Sequence, residues 1–564
     1  MTTTEMPKKV KRAPAPSPAY LRIGKRYRAN RVDQQYDAIV IGSGPGGLSA
    51  AGCLSKMGWK VAVFEQHYTA GGFTHAYGRH GYEWDVGVHY IGDMGNPKNL
   101  GRKLFQFLTG GKLHWADMGE VYDTVFLGDD IRFEFPKGQA ALTDALKKAF
   151  PTEQTAIDTY FKLIRQISRA MPLFSLSKFA PSWLQPLVRK WQAHQLPADM
   201  FATTGDVLNR LTGNKKLQAV LTTQWGDCGL PPGQSSFLIH ALIARHYLNG
   251  GYYPEGGASK IAETILPTIQ QRGGDVFTYA RVNNILIDKG KAVGVEMSDG
   301  HRIFAKKIIS AVGTDLTLHT LLPNNLAVAI AKPEQQEQVT ASMGHFSVYV
   351  GLNKSAAELE LPKSNFWIYP NEHHDDNVAA FMAGADETPP LVYISFPSAK
   401  DPTWDDRYPN KATIEIVAAA KHEWFAQWQD QTWGQRGDDY EELKAHWQQK
   451  LMKVLLEKLP HIEPYIDYVE IATPLSTQFF CEYRQGEIYG LNHTVDRFQQ
   501  RWLRAKTPIK NLYLTGQDIL TCGVVGAAMS GMLTSFAILG LRKTVTLKNA
   551  IEHEQPTHKE PAKL

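Results

Sequence analysis

The sequence predicts an α/β protein whose dinucleotide-binding domain is assembled from separated stretches, with an α+β domain made of the residues between them. Three observations predict it. A strand, glycine turn, helix, strand and acid follow one another over residues 36–65. Glycine-rich and strand-like stretches return near 250–313 and 511–518. The segments between are rich in Trp, Phe and Leu and carry no dinucleotide signal. At 564 residues the chain exceeds one ordinary core, so two or more domains are expected. A net charge of +5 is too small to argue for nucleic acid, and none is expected as a partner. Cys53, Cys228, Cys481 and Cys522 lie far apart without C-x-x-C or metal-ligand spacing. That suits a reducing compartment and argues against both a disulfide framework and a structural zinc.

Residues 38–41 (Ala-Ile-Val-Ile) form a short apolar run, as expected of a parallel strand covered on both faces. Gly42, Gly44 and Gly47 follow at G-x-G-x-x-G spacing. A Cβ at Gly42 would obstruct the tight turn, one at Gly44 would block a pyrophosphate, and one at Gly47 would push the helix off the strand. The helix from about Gly46 offers unpaired N–H groups to that phosphate and stops near Gly58. Residues 60–64 make the second strand, and Glu65 at its end is placed to accept hydrogen bonds from a ribose hydroxyl. A glycine-rich turn in some other α/β domain is the alternative.

Residues 1–31 carry Lys8, Lys9, Lys11, Arg12, Arg22, Lys25, Arg26, Arg28 and Arg31 against Glu5. Pro7, Pro14, Pro16 and Pro18 break any helix. Two readings of this 1–35 extension stay open. It is a disordered soluble arm, or it adheres to anionic lipid, where each basic residue adds roughly 1 kcal/mol. No apolar stretch follows the cations, so it is not a secretory signal. The expected location is the cytoplasm, with peripheral contact on the inner face of a membrane as the finer expectation.

After Glu65 come Gly71-Gly72 and then Asp85-Val-Gly-Val-His-Tyr-Ile-Gly92. Glu65 followed by the glycine pair resembles the FAD-binding signature of the flavin amine oxidase, phytoene desaturase and Rab-escort superfamily. The run from Asp85 to Gly92 resembles the retinol saturase and carotenoid isomerase branch. The resemblance covers roughly residues 36–541. It implies a Rossmann-like FAD-binding domain of the two-dinucleotide-binding-domain flavoprotein type, made of 36–112, 250–325 and 500–545. A discontinuous substrate domain of 113–249 and 326–499 and a polar tail, 546–564, complete the expected organisation. The implied FAD contacts are Gly42, Gly44, Gly46, Gly47, Glu65, Gln66, Gly71, Gly72, Val282 (through its backbone, at the adenine), Gly516, Asp518 and Gly526. His75, His89 and Tyr90 are the candidates for proton delivery or chain orientation, with a structural role for each as the alternative.

The remaining stretches follow in order. Pro181-Ser-Trp-Leu-Gln-Pro-Leu-Val-Arg-Lys-Trp191 combines bulky apolar residues with two cations. It fits an amphipathic helix packed on its own domain, with a membrane-interface helix as the alternative. Residues 250–260 resemble the Tyr-Pro-x-Gly-Gly element of desaturases and saturases. Residues 281–288, 292–297 and 301–305 alternate as strands joined at Lys289-Gly290 and Asp299-Gly300, and 307–311 reads as a further buried strand. His373-His374-Asp375-Asp376 has metal-ligand residue types but fits a solvated loop better. Residues 511–518 are the last strand with Gly516 and Asp518 after it. Residues 519–541 hold no charge and by hydropathy alone would span a membrane. Gly523, Gly526, Gly531 and Ser530 favour a buried terminal helix instead, its N-terminal end facing the flavin.

The resemblance therefore implies an FAD-dependent oxidoreductase acting on carbon–carbon double bonds of a long apolar polyene or isoprenoid lipid. Saturation is preferred over desaturation or cis–trans isomerisation. Two alternatives stay open: the same chemistry on an unsaturated fatty acyl chain, and a non-enzymatic, prenyl-lipid-binding escort. The lipid is the expected partner, and the electron donor or acceptor is not specified by any motif.

Overall fold

The computed structural model of the chain describes residues 18–384 and 387–554. Its first sheet is the nucleotide sheet. From one edge the strands run Lys25–Arg26, Asp275–Thr278, Val61–Phe64, Gln35–Ile41, Arg302–Ser310, Lys291–Met297 and Val282–Asp288, and Leu512–Leu514 pairs with Arg302–Ser310. The first five and Leu512–Leu514 are parallel, and the meander 282–310 is antiparallel. Buried Ile39, Val40, Val63, Ile308 and Ile309 make its centre, as their unbroken apolar runs require.

Two helices cover the glycine turn. The first, Pro45–Lys56, starts on a proline and stops before Gly58, whose φ of +88° ends it. The terminal helix Val524–His553 lies against it at backbone contact: a Cβ on Gly531 would stand 2.3 Å from the Gly46 carbonyl oxygen. Ser49 Oγ donates to the Ala528 carbonyl at 2.7 Å, and Thr534 Oγ1 to that of Leu514 at 3.0 Å. The small and hydroxyl residues that lower this helix's hydropathy are thus the ones that let it pack. By length and composition it is the one described helix able to cross a membrane, and half of its apolar window is buried in the protein.

A second, seven-stranded sheet is ordered Ile466–Ala472, Gly344–Leu352, Ala412–Ala420, Val392–Ser395, Asn365–Tyr369, Val121–Leu127, Ile131–Pro136. Its one parallel pair sets Trp367 beside Val125, joining strands from both long insertions. Helices Gln154–Phe179 and Phe237–Tyr247 pack on it around a core that includes Tyr90, Tyr160, Trp225 and Phe237.

Four expectations change. The stretches 301–305 and 307–311 are a single strand, Arg302–Ser310, that serves the meander with one half and the parallel sheet with the other. Lys306, which reads as the break between them, reaches out to Asp37 (2.7 Å), and Lys307 beside it to Asn511 (2.8 Å). The basic extension is part of the fold from residue 18: Leu21 and Ile23 are buried, Lys25 pairs with Asp275, and Arg26 covers the Tyr279 ring. The expectation for residues 1–17 lies outside the described residues. The terminal helix runs past the expected boundary at 546 because Leu547 and Ile551 share a buried face. His374 is buried, its Nε2 on the Ala219 carbonyl at 3.2 Å, and no metal-binding cluster occurs among the described residues.

Candidate active site

A cavity of about 870 Å³ runs from the glycine turn into the space between the two sheets. At its nucleotide end three glycines are closed in by the protein. A Cβ would meet Val312 at 2.7 Å on Gly42, the Gly516 Cα at 2.7 Å on Gly46, and the Gly42 carbonyl oxygen at 2.2 Å on Gly47. Gly42 also holds a φ of +93°. Gly44 differs: nothing lies within 4 Å of the Cβ it lacks, and it lines the cavity. It is the N-cap of helix Pro45–Lys56, and no side chain caps that end. The uncapped N–H groups and the open space at Gly44 fit a pyrophosphate. At the opposite wall Gly523, also without a near contact, begins the equally uncapped terminal helix. The residues present fit FAD.

Glu65 lines this end and braces it. Its Oε2 accepts from the Ser43 backbone N–H (2.9 Å) and hydroxyl (2.7 Å), and its Oε1 from the His67 N–H (2.9 Å). The Gly71 N–H donates to the Ser43 hydroxyl at 3.1 Å, tying the two glycine turns together. Gln66, Gly72, Val282, Gly516 and Gly526 line the cavity with them. Gly47, Gly71 and Asp518 do not. Asp518 is turned to the protein: its Oδ2 accepts from the Thr314 N–H (2.7 Å) and hydroxyl (3.0 Å), its Oδ1 from the Leu491 N–H (3.1 Å).

His75, His89 and Tyr90 all line the cavity. His75 Nδ1 lies 2.6 Å from the Gly72 carbonyl oxygen, and burial pulls its pKa down to about 3, so the ring is neutral. His89 Nδ1 meets Glu415 Oε2 at 2.8 Å. Burial, with Lys400 adding to it, pulls His89 down to about 3, while burial pushes Glu415 up to about 8. The pair therefore shares one proton in a dry site rather than forming an ion pair. Lys400 is itself buried, down to about 7. It donates to the His89 carbonyl (2.9 Å), to Ser395 Oγ (2.7 Å) and to Asn365. Asn365 in turn donates to Asp123 (2.9 Å), whose other oxygen accepts from the Tyr90 hydroxyl (3.0 Å). Asp85 clamps the two motifs of this wall, accepting from the Tyr253 hydroxyl and the Ala258 N–H (3.0 Å).

The far half of the cavity is a chamber of aromatic rings. Tyr90 stacks on Tyr247 with centroids 4.2 Å apart, and Trp225, Trp367, Leu391 and Tyr393 complete it. One acid faces it. Asp227 Oδ2 is buried with no hydrogen-bond partner. Burial and then Asp123 push its carboxyl well above the usual carboxylate range, against the opposing hydrogen bonds of the Tyr247 and Tyr90 hydroxyls. Cys522 Sγ lies 3.4 Å from the Asp227 carbonyl oxygen, setting the acid beside the start of the terminal helix. Sequence reasoning missed Asp227, although Gly226 and Gly229 around it were a signal. It also missed Asp123, Lys400 and Glu415, which carry no local signal.

Residues 45–539 match the flavin containing amine oxidoreductase family. The chain is 38% identical to the human all-trans-retinol 13,14-reductase over 96% of its own length and 92% of that protein's. It is 24% identical to the chloroplastic prolycopene isomerase of Daucus carota, over 92% and 82% respectively. Among solved structures, an oxidoreductase from Methanosarcina mazei has the same fold, with a TM-score of 0.58 at 16% identity over 88% of this chain and 98% of that one.

Proposed function

This chain belongs to the flavin containing amine oxidoreductase family and is an FAD-dependent oxidoreductase, and on that premise we propose that it saturates a carbon–carbon double bond of a long apolar polyene. The observation that carries this reading is Asp227, an acid raised by burial, with its Oδ2 free of a hydrogen-bond partner and the Tyr247 and Tyr90 hydroxyls beside it, in an otherwise aromatic chamber continuous with the cofactor cradle. When bound, FAD supplies a hydride, two electrons and one proton, to one carbon of the double bond. Asp227 Oδ2 gives the second proton to the neighbouring carbon, so two hydrogens are added in all. Tyr90 is a poorer donor because its hydroxyl proton is committed to Asp123. Its ring, stacked on Tyr247, holds the flat polyene in place instead. His89 and His75, both neutral, leave Asp227 as the proton source on this wall. Burial in the aromatic chamber favours the protonated form of Asp227. Each turnover consumes two electrons from an external donor.

The likeness to the carotenoid isomerase favours a second reading, isomerisation at the same site without net electron use. The two separate on stoichiometry. The bound flavin is photoreduced without oxygen, an all-trans isoprenoid polyene is added, and flavin absorbance is followed with product mass. Saturation predicts reoxidation with a gain of two hydrogens. Unchanged mass with the flavin still reduced would make the protein an isomerase.

A further inference from the structure

The cavity reaches the surface at Leu100, at the internal proline of helix Gln154–Phe179 (Pro172), and at Lys548 near the end of the terminal helix. Apolar side chains flank this rim. Helix Gln185–Gln195 is strapped along Gln154–Phe179: Gln192 Nε2 donates to the carbonyls of Leu173 (2.8 Å) and Phe174 (3.1 Å), and Gln185 Nε2 to Ser177 and Ala180 (both 3.0 Å). Val188 is buried beneath it, while Trp183, Leu187 and Trp191, at four-residue spacing, are 74, 64 and 55% exposed. On the terminal helix, past the break at Gly540, Leu541 and Val545 are each 59% exposed. With Leu100 these make six of the eleven large apolar side chains exposed among the described residues, so the exposure is concentrated around the cavity mouth.

The same segments are mainly cationic. Residues 182–195 contain Arg189 and Lys190 and no acid, and residues 540–553 contain Arg542, Lys543 and Lys548 against Glu552, which pairs with Lys548 at 3.6 Å. Beside Gln185–Gln195 a hollow of about 430 Å³ is lined by Lys178, Arg189, Arg501 and Arg504, again without an acid. The chain's own tails do not complement such a face in charge. Residues 1–17 carry Lys8, Lys9, Lys11 and Arg12 against Glu5, and 555–564 carry Lys559 and Lys563 against Glu560, the same sign as the face.

We infer that this face docks on an anionic phospholipid bilayer, with Trp183, Leu187, Trp191, Leu541 and Val545 entering the interface and the surrounding cations meeting lipid phosphates. Amphipathic Trp and Leu over a cationic flank is the chemistry of an interfacial helix. The cavity mouth then opens toward the acyl region, and an apolar substrate enters without crossing water.

The test uses the full-length holoenzyme and vesicles of phosphatidylcholine with and without phosphatidylglycerol. Wild type is expected to sediment with the anionic vesicles, less so as salt rises. Trp183→Ser with Leu187→Ser and Trp191→Ser should lower partitioning by about tenfold or more, because three apolar side chains no longer enter the interface. Arg189→Gln with Lys190→Gln should weaken the preference for anionic lipid. Retained flavin absorbance shows that the variants are folded. Quenching of wild-type tryptophan fluorescence by brominated acyl chains, lost in the triple variant, would support the assignment. Equal binding by wild type and triple variant, or binding lost only on deleting residues 1–17, would overturn it. A soluble wild type whose apolar face instead mediates a protein complex would overturn it too. Vesicle binding is read without turnover, so its failure leaves the saturase reading standing.

Discussion

The two ends of the cavity are built in opposite ways. The cradle is made of backbone, and its key residues lie within thirty-one positions, Gly42 to Gly72. The chamber is made of side chains from Tyr90, Asp227, Tyr247, Trp367 and Tyr393, more than 300 positions apart at the extremes. The cradle selects for the absence of atoms. The chamber selects for rings and for one proton held out of water. The difference teaches that binding and chemistry are separable here, and substitutions should separate them.

The largest separation is expected at two neighbouring glycines. Gly44→Val has room in the folded protein, because nothing lies within 4 Å of its Cβ, but it fills the pyrophosphate's space. It should fold like the wild-type apoprotein and retain less than about a tenth of the flavin, a loss of more than ~1.4 kcal/mol in binding. Gly47→Ala puts a methyl 2.2 Å from the Gly42 carbonyl and should instead cost about 3 kcal/mol of stability. Flavin absorbance and thermal melting, read together, check both. Wild-type flavin in Gly44→Val would break the assignment of the cradle.

On the chamber side the expected effect is a pH slope. Glu415 has a folded pKa raised to about 8 from an ordinary 4.5, so the folded protein holds a proton that the unfolded chain releases. Its contribution is full below about pH 4.5 and is lost as pH rises toward 8. Asp85, also raised by burial, acts in the same sense. Lys400, lowered to about 7, acts in the opposite sense only above that pH. Between pH 5 and 7 the wild type should therefore lose stability relative to Glu415→Gln, by at most about 1.4 kcal/mol per pH unit. Parallel melting curves across that range would show that Glu415 is ionised in the fold.

The smallest effect sharpens the boundary between the halves. Asp518→Asn should keep its flavin, because the carboxylate serves Thr314 and Leu491 rather than the cavity. A loss of about 1–2 kcal/mol from weakened hydrogen bonds is expected in denaturant unfolding. Loss of FAD at unchanged stability would return Asp518 to the cofactor.

The same contrast explains what was legible. The cradle could be read because a turn with positive φ and two close backbone contacts admits only glycine, so geometry writes itself into residue type at fixed spacing. The terminal helix could be read as packed on the protein for a similar reason, since Gly531 permits backbone contact with Gly46 and Ser530 accepts from the Gly516 N–H. Strand Arg302–Ser310 reads as two strands in sequence because Lys306, beside Lys307, looks like a break unless Asp37 and Asn511 are known to await them. Lys400 and Glu415 are illegible in principle: nothing local distinguishes a buried lysine from a surface one until the sheet that desolvates it exists. Asp227 lay between, with two glycines near it and no partner visible in sequence.

The central claim is that Asp227 delivers the proton, and one measurement tests it most directly. In Asp227→Asn the bound flavin is photoreduced anaerobically, and its reoxidation by a polyene that the wild type saturates is followed. The amide fills the same space and cannot give up a proton as the acid does. The account predicts wild-type flavin content and a reoxidation rate lower by about 10²–10⁴. A wild-type rate in a fully flavinated Asp227→Asn protein would contradict it.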